Sequence, residues 1–220
     1  MQGAALELLL RRYMKPMRAH IIHRKGLDLH SAEDLLQGFI TRKVIEKELI
    51  SKADRNKGKF RTFLLTALDH YIVSQYRHDN AAKRKPRGPE DSSVSAVAET
   101  ADPAKHPSAE FDVAWAREVI GRAIECFSEE CRLIRRPDIW GVFEGRVLRP
   151  TIDSVEPTSY DELIEKYGFQ SPAQASNAMI TAKRMFARTL RQVVSEYTPE
   201  GEDIDAEIMD LKRILSNARA

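Results

Sequence analysis

The chain reads as all-α: two small helical domains joined by a flexible linker, the second containing a helix-turn-helix. Three observations predict this. Apolar residues recur at three- and four-residue intervals through most of the sequence, prolines and small polar residues crowd one central stretch, and a Gly followed by Ser-Pro separates two helical patterns near the end. The 220 residues suit one domain or two small ones, since domains commonly span roughly 100–150 residues.

The helical elements follow in order. Residues 4–24 place Leu6, Leu9, Leu10, Tyr13 and Met17 on one side, with Pro16 expected to kink or divide the helix because it removes a backbone donor. Gly26 is a plausible C-cap. His20 and His23 lack further ligands at metal spacing and read as helix-surface histidines. Ser31 with Asp34 resembles a capping box, and Leu35, Leu36, Phe39, Ile40 and Val44 continue the helix. A polar turn, Lys52–Lys59, should fold the next helix back antiparallel. In that helix Phe60, Phe63, Leu64, Ala67, Leu68 and Tyr71 form one stripe, while Arg61, Thr62, Thr66, His70, Ser74 and Arg77 take the other face. Residues 86–110, with four prolines and no apolar period, form the expected linker.

Helical pattern returns at Phe111, with Val113, Ala116, Val119, Ile120, Ala123, Ile124 and Phe127 on one face and Trp115 near its start. Trp140, Val142, Phe143 and Val147 mark a second segment, and a mixed connection follows to Thr158. Tyr160, Leu163, Ile164 and Tyr167 then define a two-turn helix that Gly168 closes. Ser171 as N-cap and Pro172 at the first position open the next helix. It turns Ala175, Ala178, Met179, Phe186, Leu190 and Val193 inward. Helix, short Gly-containing turn, helix is the helix-turn-helix outline. Gln174, Ser176, Asn177 and Thr181 at its leading end suit base edges; Lys183, Arg184, Arg188 and Arg191 suit phosphates. The acidic tail ends in a helix with Ile204, Ile208, Leu211 and Leu215 aligned, expected to pack on the second domain or cover its basic helix.

The net charge of +2 hides an uneven distribution. Residues 1–88 hold 19 Lys and Arg against 9 Asp and Glu, residues 89–170 hold 9 against 17, and residues 171–197 hold 4 against 1. Two basic stretches separated by an acidic middle suit two phosphate-facing surfaces, although solvated helix faces also produce charge runs. Cys126 and Cys131 fit neither a zinc pair nor a redox pair and read as buried or half-buried thiols. No apolar run approaches the roughly 20 residues that span a bilayer, and a signal pattern is lacking, so a cytoplasmic protein without a membrane partner is expected.

Two segments resemble a known family. Ser31–Gln37 (SAEDLLQ) followed by Lys59–Arg77 (KFRTFLLTALDHYIVSQYR) is similar to the second conserved region of bacterial RNA polymerase sigma factors, closest to the extracytoplasmic-function (ECF) group. Thr158–Val194 resembles their fourth region, and the two lie in the family's order, covering most of residues 4–197. The resemblance implies a polymerase-docking and minus-ten domain at 1–85, a linker at 86–110, a minus-thirty-five domain at 111–197 and an acidic tail at 198–220. It implies core RNA polymerase and promoter DNA, duplex and melted strand, as partners, and leaves room for an anti-sigma factor. Polymerase binding falls to Asp34 and Gln37, with Glu33 and Arg42 nearby. The downstream element falls to Arg61, Thr62, His70, Tyr76, Arg77, Lys83, Arg84 and Lys85, and the upstream element to Gln174, Ser176, Asn177, Thr181, Lys183, Arg184 and Arg188. Departures are Gly38 where many relatives carry an acidic residue, Phe63 where they carry Trp, and Asp69–His70 where they often carry a basic residue and Asn.

No catalytic constellation appears. Asp69 and His70 are adjacent on a helix and do not face one another, and no phosphate loop, dinucleotide glycine pattern or serine elbow is present. No cofactor, metal or enzymatic activity is expected. The work is binding: a sigma-type specificity subunit, with a stand-alone helix-turn-helix regulator and a helical interaction adaptor as the alternatives.

Overall fold

The structure is a computed structural model describing residues 2–45, 59–83, 109–198 and 203–218. Among these residues every regular element is helical and no strand occurs. The helices are α1 (Gln2–Lys25), α2 (Leu29–Phe39), α3 (Phe60–Lys83), α4 (Ala109–Leu133), α5 (Pro137–Phe143), α6 (Arg149–Asp153), α7 (Tyr160–Tyr167), α8 (Pro172–Tyr197) and α9 (Ile204–Asn217). A π-helical turn continues α2 through Ile40–Ile45, and another, Glu144–Leu148, joins α5 to α6. The expected turn at Lys52–Lys59, apart from Lys59 itself, and nearly all of the expected linker lie outside the described residues.

Two compact units divide the chain: Met1–Glu118 together with Tyr197–Ala220, and Val119–Glu196. These units cut the chain elsewhere than the domains expected at 1–85 and 111–197. The first residues of α4 and helix α9 belong with the N-terminal helices. Helix α9 of the tail, expected on the second domain or over its basic helix, meets partners of the first unit, which are named below.

In the first unit, α1 runs through Pro16 without interruption. It closes at Gly26, which donates its N–H to the Ile22 carbonyl at 3.0 Å and takes a positive φ of 62° that turns the chain out of the helix. Asp28, rather than Ser31, caps α2: its carboxylate accepts from the Ser31 N–H at 3.0 Å and the Ser31 hydroxyl at 2.6 Å. Those bonds hold the Asp28 carboxyl below its ordinary pKa. Tyr13 gathers the core, with its ring against Phe60, Phe111 and Tyr197 and its hydroxyl donating to the Tyr197 carbonyl. His20 is fully buried, not on the helix surface, and its Nε2 lies 3.0 Å from Asp69 Oδ1. Burial of a polar ring demands such a partner.

Helix α2 meets α3 where Phe39 faces Tyr71. Gly38 makes that approach possible, because a Cβ there would stand 2.4 Å from the Tyr71 hydroxyl. This gives the glycine, in place of the relatives' acidic residue, a packing reason.

The second unit is built on aromatic packing. Phe127, Phe143 and Phe186 form a triangle with centroids 4.8–5.9 Å apart, and Trp140 adds to Phe127 at 5.8 Å. Cys131, Ile139 and Ala182 complete this cluster. A second cluster joins Val142, Leu163, Phe169, Ala175, Ala178 and Met179, which binds α5, α7 and α8 together. Fully burying one such side chain is worth about 1.5–3 kcal/mol. Cys131 is buried and Cys126 half-buried, and burial pushes the Cys131 thiol up to about 11.

The stretch before α7, expected to be a mixed connection, is partly helical as α6. Its remaining loop is tied back by Arg146, which sits 4.0 Å from the Tyr160 ring centre and donates to the Thr158 carbonyl. The Thr158 N–H returns to the Gly145 carbonyl at 3.0 Å.

Candidate nucleic-acid interface

Local chemistry builds the α7–α8 pair. The Ser159 hydroxyl accepts from the Glu162 N–H to start α7. Gly168, at φ 69°, ends it by sending its own N–H to the Ile164 carbonyl at 2.9 Å. A residue with a Cβ would be strained at that φ. Ser171 then caps α8 by accepting from the Gln174 N–H at 3.3 Å, with Pro172 at the first helical position.

On α8 the helical period puts Asn177, Thr181, Arg184 and Arg188 at i, i+4, i+7 and i+11, one exposed stripe opposite the buried Ala175, Ala178 and Ala182. Ser176 and Lys183 lie seven apart on a neighbouring flank, Ser176 half-buried and Lys183 exposed. Three of the side chains are already engaged. The Gln174 carboxamide oxygen accepts from the Gln170 N–H at 2.6 Å, which leaves its NH2 group for an outside acceptor. The Thr181 hydroxyl donates to the Asn177 carbonyl at 3.0 Å and keeps its lone pairs. Arg188 pairs with Glu130 of α4, so it is a weaker candidate than Lys183 or Arg184.

In the first unit the expected polymerase-facing residues separate into two kinds. Asp34 and Gln37 are exposed on α2, with Asp34 Oδ2 3.8 Å from His30. Glu33 instead bonds Arg18 of α1 at 2.8 Å, and Arg42 reaches Gln75 of α3 at 3.5 Å.

The downstream set divides more sharply. His70 and Arg77 are exposed on α3 with Ser74 between them; Thr62 and Tyr76 are half-buried. The Lys83 side chain, Arg84 and Lys85 lie outside the described residues. Arg61 is not on the polar face at all: it is 4% exposed. It shares a stripe with Leu65, Leu68 and Ile72, at i+4, i+7 and i+11, all of them buried.

What surrounds Arg61 went unread in the sequence. Its guanidinium lies 4.5 Å from the Trp115 ring centre, donates to Glu207, and donates to Asp210 at 2.5 Å. Lys59 pairs with Glu207 at 2.8 Å and also with Asp210. Asp112 stands 3.6 Å from the Arg61 Nε. Burial raises the Asp112 pKa, and the Arg61 charge only partly offsets it. Burial likewise pushes Asp210 up, but hydrogen bonds from Lys59 and Arg61, with their charges, outweigh it and hold that carboxyl low. A small cavity of about 10 Å³ adjoins the cluster, lined by Tyr13, Phe60, Arg61, Trp115 and Glu207 among others.

No protein-family model, curated protein or solved structure matches this chain. Among the described residues no group of His, Cys, Asp and Glu could hold a metal ion, and no helix is long and apolar enough to cross a membrane.

Proposed function

We propose that the chain is a sigma-type specificity subunit of the ECF kind: it binds core RNA polymerase, recognises a two-part promoter and assists melting of the downstream part. The observation that carries the reading is the α7–α8 pair, whose capped, Gly168-hinged geometry presents the Asn177–Thr181–Arg184 stripe on an exposed helix face. Short polar groups read base edges in a major groove, and the neighbouring cations meet phosphate. The two resembling segments, in the family's order, connect that helix to transcription initiation. Exposed Asp34 and Gln37 serve polymerase docking, and His70 and Arg77 serve the downstream element. Melting then draws on binding energy alone, with strand separation favoured by contacts to the unpaired strand. Nucleotidyl transfer belongs to the polymerase.

The test is run-off transcription by purified core polymerase from a genomic promoter library, with and without this protein, read by sequencing transcript starts. The expected result is starts downstream of a shared two-part motif; no promoter preference and no binding to core polymerase would refute it. One observation favours a second reading. Arg61 faces an internal ion cluster, which removes one cation from the downstream surface and suits a stand-alone helix-turn-helix regulator. Such a regulator binds its duplex tightly without polymerase.

A further inference from the structure

Helix α9 is an acidic strap on the first unit. Asp203 caps it, accepting from the Asp205 and Ala206 N–H groups, and Leu211 and Ile214 are buried along its inner face. On the same side Glu207 and Asp210 engage Lys59 and Arg61 at the very start of α3. Two carboxylates thus meet two cations whose donors are arranged as a fork.

Geometry and charge together make this a site for phosphate that the chain's own tail occupies. An arginine fork flanked by a lysine binds a carboxylate or a phosphate by the same bidentate pattern. The helix start adds its own preference for anions. Arg61 does not depend wholly on the strap, because Asp112 and the Trp115 ring face it from α4. Its Nε and the Trp115 Nε1, both buried, have no hydrogen-bond partner. We infer that Glu207 and Asp210 imitate two backbone phosphates, so that α9 holds closed a Lys59–Arg61 site for single-stranded nucleic acid, and that displacing α9 opens it. The inference rests on the proposed function, since that reading makes a DNA strand the displacing ligand.

The test measures binding of a fluorescein-labelled single-stranded oligonucleotide to the full chain by anisotropy over a range of salt. E207Q/D210N is expected to bind about tenfold tighter at low salt. Its salt dependence should steepen by about 1.4 in log–log slope, from two further phosphate contacts at about 0.7 each on a single strand. D153N/E156Q removes the same charge from two exposed positions of the second unit and should leave the slope unchanged. K59Q should weaken binding in the E207Q/D210N background and do little in the native chain, because there Lys59 is already engaged. Should the double variant fail to fold, D210N alone is expected to show about half the slope change, since the Asp210 side chain is the more exposed of the two.

A gain equal to that of D153N/E156Q, or one indifferent to K59Q, overturns the strap as a gate and leaves the promoter reading standing. Absence of DNA binding by every chain, the native one included, also overturns the strap as a gate, while the promoter reading stands or falls by the run-off assay with core polymerase.

Discussion

The two units are held by different physics. The second closes on aromatic contact, with Phe127, Phe143 and Phe186 packed within van der Waals reach of one another. The first has an aromatic hub at Tyr13 but also ties segments far apart in the chain with charge, Arg61 to Glu207 across 146 residues. Apolar packing is non-directional and tolerates changes of similar volume, whereas a buried ion cluster is destabilised when a change leaves one of its charges without a counter-charge. The second should weaken in proportion to volume removed, and the first in proportion to charge left unpaired.

The largest expected effect is in the aromatic triangle. Phe127→Ala should destabilise by about 3–5 kcal/mol, read by urea denaturation, because Phe127 is fully buried and touches Trp140, Phe143 and Phe186. Arg61→Ala should cost somewhat less and for another reason: it leaves the buried Glu207 carboxylate with Lys59 as its remaining cation, where breaking a buried pair outright costs about 3–5 kcal/mol. If the cluster acts as argued, Arg61→Met combined with Glu207→Gln loses clearly less than Arg61→Ala alone. Equal losses would mean that Arg61 matters only through its packing on Trp115.

A smaller effect is expected at the α2–α3 crossing. Gly38→Ala should cost about 1–3 kcal/mol by overpacking against Tyr71, and Tyr71→Phe in the same chain should restore part of it. Denaturation of the single and double variants decides this.

The pH dependence of the ion cluster sharpens the comparison further. Asp112 has a raised pKa, so its contribution is present below the unfolded carboxyl value of about 3.9 and is lost as pH rises through the raised one. Asp112→Asn keeps the group neutral throughout, and should therefore raise the melting temperature at pH 7 while making little difference at strongly acid pH. Asp210 runs the opposite way, its depressed pKa contributing stability above about 3.9 that fades as pH falls through the folded value. The smallest effect is kinetic. With its thiol pushed up to about 11, Cys131 should be alkylated far more slowly at pH 8 than half-buried Cys126, as mass spectrometry of iodoacetamide-treated protein would show.

What could be read from the sequence divides along the same line. Gly168, Ser171 and Pro172 announce their roles locally, because a left-handed cap, an N-cap and a first helical residue are each set by the nearest few atoms. The inward faces of α4 and α8 follow from period alone. Arg61 was legible only in part: Leu65, Leu68 and Ile72 place it on a buried stripe, but its charge argued for the other face. Its partners Glu207 and Asp210, and the Asp69 that meets His20, lie at sequence distances no local period reports. The tail's helix was readable from spacing and its destination was not, since destination here depends on two salt-bridged cations. Asp28 displaced Ser31 as the α2 cap because its carboxylate accepts two bonds at once, one of them from Ser31 itself.

Whether each unit serves its own promoter element is decided by comparing transcript starts made by core polymerase with two charge-deleted chains, Lys183→Ala/Arg184→Ala and His70→Ala/Arg77→Ala. The first is expected to lose discrimination at the upstream promoter element, the second at the downstream element, and each to keep polymerase binding. No starts with the native chain, or parallel loss at both elements from either variant, would contradict it.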